Sequence, residues 1–365
     1  MKINFNELKR GYEKYKEEYD KAAIEVLESG WYILGENVEK FESNFSQFIG
    51  SKYCVGVNSG LDALILAVRA LNIGYGDEVI VPANTYIATV LGITENNATP
   101  IFVEPDEYYN IDANKIEEKI TNKTKAIMVV HLYGQAANMK KIKEIADKND
   151  LYLIEDCAQS HGAKFEGKTT GTYGDIGCFS FYPTKNLGAF GDGGAIVTDN
   201  EKIADKIRML RNYGSRRKYY NEIEGVNSRL DEMQAALLNV KLSHYRELRS
   251  EREKIAQKYL NEIRNPKIIL PKIRKGAEHV WHLFVVQTEN RDKLQNYLNE
   301  NEIGTQIHYP IPPHLSEAYK YLGYKKGDFP ITEKQANTVL SLPIYDGMTN
   351  EEAEYVIKAI NDYKG

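Results

Sequence analysis

KAIMVVHLYGQAANMKKIKEIADKNDLYLIED, residues 125–156, holds two almost unbroken apolar runs, KAIMVV (125–130) and LYLIED (151–156), on either side of a segment (139–149) whose apolar residues fall three and four apart. Runs of that kind are strands buried on both faces, and the spacing between them is that of an amphipathic helix. The stretch therefore reads as strand, covering helix, strand. The alternation continues outward: YCVGV (53–57), DEVIV (77–81) and TPIFVE (99–104) precede it, CFSFY (178–182) and AIVTD (195–199) follow it, and helical spacings recur at 36–49, 61–72, 112–120 and 200–213. The fold class is α/β, a layered domain whose mostly parallel sheet is covered by helices on both faces. Parallel crossovers leave a crevice at the carboxyl ends of the strands, so residues just after a strand are the functional candidates.

Toward the C-terminus, DEMQAALLNVKLSHYRELRSEREKIAQKYLNEI (231–263) contains no Gly or Pro and reads as one long helix leading out of the first domain. Beyond Pro266, a strand HLFVVQ (282–287), a helix near 291–301, a strand TQIHY (305–309) and helices near 332–340 and 350–362 make a smaller α+β unit. The expected division is an N-terminal arm and large domain over 1–240 and a small C-terminal domain over 241–365.

Composition narrows the function classes. A chain of 365 residues buries a core that needs no disulfide staples, and 42% hydrophobic with 27% charged residues is ordinary for a globular protein. The net charge of -5 is spread without a basic arm or an acidic tail, which argues against a nucleic-acid partner. Cys54, Cys157 and Cys178 are widely spaced and fit neither a zinc pattern nor a disulfide framework, so a reducing cytoplasm is expected. The charged N-terminus lacks the apolar centre of a signal peptide and no apolar run has membrane-spanning length; no membrane association is expected.

Two strand ends carry the chemistry. LYLIEDCAQSHG (151–162) ends its strand at Glu155 and Asp156, with Gln159, Ser160 and His161 just beyond. Taken alone, an Asp there is equally a turn or capping residue. GCFSFYPTKNLGAFGDGG (177–194) delivers Ser180, Thr184 and Lys185 from a hydrophobic strand into a glycine-dense loop. An amine desolvated among apolar and small neighbours can form a Schiff base. NSGLDAL (58–64) follows a strand and opens a helix, where the amides of Ser59 and Gly60 can meet a phosphate, although such helix starts also occur without a ligand.

Those segments, together with VPANTYIAT (81–89), HLYGQ (131–135), EDCAQSHGA (155–163), EGVNSRLDEMQAA (224–236) and IHYPIPPH (307–314), resemble the DegT/DnrJ/EryC1/StrS sugar aminotransferases over nearly the whole chain. The resemblance implies an aspartate-aminotransferase-like fold that binds pyridoxal 5'-phosphate (PLP). Lys185 is then the lysine that carries PLP and moves the proton, and Asp156 pairs with the ring nitrogen. Ser59, Gly60 and Ser180 would hold the phosphate, Tyr86 would stack on the ring unless it packs in the core, and Gln159 would touch the ring's other side or its hydroxyl. Asn227 matches a position that reaches the cofactor of a neighbouring subunit, which implies a homodimer with shared sites; an Asn in a turn would serve equally. Arg229, His308, Tyr309 and His314 match substrate-facing positions, and no metal site is expected from the scattered histidines.

The implied reaction moves nitrogen from L-glutamate to a nucleotide-linked keto sugar. HLYGQ with Gln135 is similar to relatives acting at carbon 3 of a dTDP-3-keto-6-deoxyhexose, and Ala136 departs from their usual proline; carbon 4 is the alternative. Sugar dehydratases of the family hold histidine where this chain has Lys185. A PLP-binding regulator is a further alternative, and a nicotinamide dehydrogenase lacks its G-x-G-x-x-G here.

Overall fold

Seven strands form the central sheet: β1 (Tyr53–Val57), β2 (Glu78–Pro82), β3 (Thr99–Val103), β4 (Thr124–Val130), β5 (Tyr152–Asp156), β6 (Ile176–Ser180) and β7 (Gly194–Thr198). Their spatial order is β1–β7–β6–β5–β4–β2–β3, and the computed structural model describes residues 1–365. Every pairing from β3 to β6 is parallel, and β7 alone runs the other way, against both β6 and β1. The mostly parallel sheet read from the apolar runs is therefore present, and β7, buried along its whole length, shows why an apolar run does not reveal strand direction.

Helices cover both faces. On one side Gly60–Ala70 buries Ala63, Leu64, Leu66 and Ala67 against β1, β2 and β6. On the other, Glu36–Ile49 places Val38, Phe41, Phe45 and Ile49 at helical spacing against Phe179 and Phe181. Burying each such phenylalanine contributes about 1.5–3 kcal/mol, so this aromatic layer holds the underside of the Lys185 loop. A second core gathers Tyr259, Trp281, Phe284, Leu294 and Ile360 of the C-terminal part, and Ile3 from the N-terminus joins it. Conversely, Tyr319 and Phe329 pack on the core of the sheet. No helix is long and apolar enough to cross a membrane.

Four expectations are corrected. Residues 112–120 form two short 3-10 turns, Ala113–Lys115 and Glu117–Lys119, because Asp112 caps the first turn through the Asn114 amide. The helix expected over 231–263 breaks at His244 into Glu232–Ser243 and Tyr245–Glu262. There the His244 ring stacks 3.8 Å from Tyr15, and the hydroxyl of buried Tyr245 donates to the His161 carbonyl, so packing bends a segment that has no breaker residue. TQIHY (305–309) is no strand: a single bridge, Gln306 to Ser341, ties it to its neighbour before the backbone turns into the crevice wall. The helix expected at 332–340 spans Pro330–Thr338, and the following Val339–Leu342 pairs antiparallel with Phe284–Gln287.

Candidate active site

The carboxyl ends of β1, β2, β5 and β6 open onto a cavity of about 510 Å³. Ser59 and Gly60 reach it from β1, Tyr86 from β2, Asp156 and Gln159 from β5, and Ser180 and Lys185 from β6; His308 and Tyr309 close it from the C-terminal part. With Thr184, which also lines it, ten of the residues singled out by sequence thus meet in one crevice, although they come from segments up to 250 positions apart.

Strand alternation sends Asp156 to the crevice side and Glu155 to the other. Asp156 is 5% exposed; its Oδ2 accepts from the Thr89 hydroxyl at 2.8 Å and its Oδ1 from the Ala158 amide at 3.1 Å. Burial raises the carboxyl above its usual range, while the Ala158 amide, the Thr89 hydroxyl and the Lys185 charge pull it back. For Lys185 the same desolvation acts on a cation: burial lowers the amine to about 8, against the pull of Asp156. Burial and Lys185 together also depress His308, to about 4.

Gln159 is held at both ends of its amide. Its Oε1 accepts from the Tyr133 amide at 2.7 Å and its Nε2 donates to the Tyr309 hydroxyl at 3.0 Å. Tyr86 is 53% exposed with its ring 5.2 Å from that of Tyr309, which disposes of core packing. Gly60 must be glycine, because a Cβ there would meet Ser180 Cβ at 2.4 Å. That close approach brings the start of the helix Gly60–Ala70 against the end of β6.

Five residues fall elsewhere. His314 is 1% exposed, packed on Phe329 with its Nε2 3.2 Å from Glu333, so it belongs to the core and not to a substrate-facing surface. Arg229 lies outside the crevice: it donates to Asn212 at 3.1 Å and rests over the Tyr213 ring. Asn227 is exposed and bridges Asn212 through its backbone, outside this chain's crevice. His161 is buried beneath the crevice against Phe179 and Phe181, and burial lowers it to about 3. Gln135, read as a marker of sugar position, is also buried; its side chain holds the Lys272 carbonyl at 3.1 Å and the Arg274 amide at 2.5 Å.

Sequence reasoning missed Thr89, Tyr182, Asp192, His282 and Gln306, all of which line the crevice. Thr89 carried a faint signal, four residues after Thr85 at a helix start. His282 looked like the polar entry to a strand. Tyr182, Asp192 and Gln306 lie in segments whose direction only the fold determines.

The model of the DegT/DnrJ/EryC1/StrS aminotransferase family matches residues 13–361. The chain is 54% identical over 362 residues, 99% of each chain, to the dTDP-3-amino-3,6-dideoxy-alpha-D-galactopyranose transaminase of Aneurinibacillus thermoaerophilus. Among solved structures it is similar to DesV of S. venezuelae in complex with a ketimine intermediate, at TM-score 0.97 and 46% identity, covering 99% of this chain and 98% of that one. It is also similar to NtdA of Bacillus subtilis with the bound cofactor PMP, at TM-score 0.91 and 34% identity, covering 98% of this chain and 84% of that one. A family model that spans nearly every residue, joined to a crevice in which Lys185 faces Asp156, places this chain in the DegT/DnrJ/EryC1/StrS aminotransferase family.

Proposed function

We propose that this PLP-dependent aminotransferase moves an amino group from L-glutamate to carbon 3 of a dTDP-3-keto-6-deoxyhexose, giving a dTDP-3-amino-3,6-dideoxyhexose. The observation that carries the reading is the convergence of a desolvated Lys185 and a buried, doubly hydrogen-bonded Asp156 in one crevice. The 54% identical Aneurinibacillus relative, a dTDP-3-amino-3,6-dideoxy-alpha-D-galactopyranose transaminase, supports carbon 3.

The crevice residues fit PLP. The first-turn amides of Gly60 and Leu61 have no carbonyl partner within their helix and line the cavity, which suits a phosphate. When bound, PLP supplies a carbonyl that exchanges with amines and a ring that accepts electron density from the carbon losing a proton. Lys185 would hold it, and its Nζ, once free, would take up that proton and return it, a task matched to an amine lowered by burial to about 8. Asp156 would accept from the ring nitrogen, Tyr86 would cover a ring face, and Gln159, locked by Tyr133 and Tyr309, would fix the ring's other contact. Ser180 would join Ser59 and Gly60 at the phosphate, leaving His308 and Tyr309 toward the sugar.

Asn227 would serve a neighbouring subunit in a homodimer, and the exposure of Trp31 (64%), Tyr32 (51%) and Ile33 (40%) is apolar surface suited to that contact. The three free, buried cysteines suit a reducing cytoplasm.

The test supplies purified enzyme with PLP, L-glutamate and a dTDP-3-keto-6-deoxyhexose, and reads the aminated carbon by NMR. Amination at carbon 3 is expected, with no turnover by Lys185→Ala; Asp156→Asn retains PLP but loses most turnover. A product aminated at carbon 4, or steady turnover by Lys185→Ala, overturns the reading.

A further inference from the structure

We infer that the hydroxyls of Thr85 and Thr89 form a relay that aims the Asp156 carboxylate at the ring nitrogen of PLP, which makes both threonines positioning residues. The inference rests on the PLP reading of the crevice and adds how its carboxylate is held.

Both threonines are buried, at 2% and 1% exposure. Thr89 Oγ1 lies 2.8 Å from Asp156 Oδ2, and Thr85 Oγ1 lies 2.7 Å from Thr89 Oγ1. A hydroxyl carries one proton and a carboxylate only accepts. Thr89 therefore spends its proton on Asp156, and Thr85 must donate to Thr89. The direction of the chain is set: Thr85 to Thr89 to Asp156. With the Ala158 amide on Oδ1, both carboxylate oxygens are tethered by donors from different segments, and rotation of the side chain breaks at least one bond.

The helix does not need these bonds for itself. A threonine inside a helix ordinarily returns its hydroxyl to the carbonyl four residues back or points to solvent. Thr89, in the first turn of Ile87–Thr94, instead bonds across to the end of β5. The N-cap of that helix is Tyr86, whose ring stands in the crevice. One helical turn thus carries both the aromatic cover and the donor that orients the carboxylate.

The experiment compares Thr89→Val, Thr89→Ser and Thr85→Val with the parent enzyme. PLP affinity is measured by titrating apoenzyme, the induced circular dichroism of the bound cofactor is recorded, and urea unfolding of each apoenzyme reports stability. Because a hydrogen bond to a charged group is lost, Thr89→Val should bind PLP roughly ten- to a hundredfold more weakly. Its dichroism band should change, and Thr89→Ser should restore both. Thr85→Val should show a smaller loss in the same direction, and it decides the matter alone if Thr89→Val does not fold. Parent-like affinity and dichroism in the valine variants, or a serine variant no better than valine, overturn the relay. A parent enzyme that takes up no PLP would instead sink the functional reading itself, so the two failures are distinguishable.

Discussion

His282 Nδ1 lies 3.1 Å from Asn186 Oδ1, and this bond ties the residue next to Lys185 to the C-terminal part of the chain. Asn186 Nδ2 donates to the Val280 carbonyl at 2.7 Å, which leaves its Oδ1 as acceptor and puts a proton on His282 Nδ1. Burial pushes His282 well below the ordinary histidine range, and Lys185 and Arg252 add to it, so the ring is neutral with Nε2 free to accept. Asn186→Ala leaves a ring N–H and a carbonyl unpaired in a buried site and should cost about 2–4 kcal/mol in urea unfolding. Asn186→Asp should raise the His282 pKa, seen as ring-proton shifts in NMR titration.

Lys185 titrates near 8 because burial penalises its charged form. Only the neutral amine is nucleophilic, so below that value its available fraction falls tenfold per pH unit, and above it the fraction saturates. The rate at which apoenzyme takes up PLP should therefore rise from pH 6 to about 8 and level off beyond it. Stopped-flow absorbance across that range checks the sign: a rate that keeps climbing toward the ordinary lysine range near ~10.4 would mean the amine is not desolvated.

The sheet was legible because each strand is apolar on both faces, and Lys185 was legible because a charged residue between CFSFY and a run of glycines has no surface to sit on. Legibility ended where meaning depended on distant packing. TQIHY alternates like a strand, yet its alternation comes from Gln306 and His308 lining a crevice wall. VLSL (339–342) looked like the end of a helix because its strand partner, Phe284–Gln287, lies more than fifty positions away. His314 shares a Pro-rich loop with His308, but Phe329 and Glu333 draw it into the core. Thr89 became readable only once Asp156 was beside it.

Glu155 adjoins Asp156 in sequence and does different work. Its Oε1 accepts from the amides of Tyr173 and Gly174 at 2.7 and 2.8 Å, and its Oε2 from the Gly171 amide and His131 Nε2 at 2.8 and 2.9 Å. His131, Glu155 and Cys157 also offer metal-ligating atoms within 4.8 Å of one another. The Ala137 amide donates to His131 Nδ1 and leaves the proton on Nε2, while burial pushes the Cys157 thiol well up. These are bonds of a loop anchor, with ligand atoms already protonated or committed. Chelator treatment should leave activity unchanged, whereas Glu155→Gln, which turns an NH₂ toward N–H donors, should lower stability by about 2–3 kcal/mol in urea unfolding.

Glu104, just past β3, caps a helix 227 positions away. Its Oε1 accepts from the Ile331 amide at 2.7 Å, and its Oε2 from the Thr332 amide and hydroxyl at 2.9 and 2.7 Å. The N-cap residue of that helix, Phe329, has no side chain able to do this, so the negative charge at the positive helix end comes from the sheet. The same helix carries Gln335, which accepts from Asn84 Nδ2 at 2.9 Å, next to Thr85. Glu104→Ala removes charge and acceptors together and should cost about 2–4 kcal/mol, and Glu104→Gln, which keeps one acceptor, about half of that. Because the loosened helix also releases Asn84, the alanine variant should lose PLP affinity as well as stability, which titration of its apoenzyme at a temperature where it remains folded can separate. Unchanged affinity would mean that the helix supports the fold without supporting the crevice.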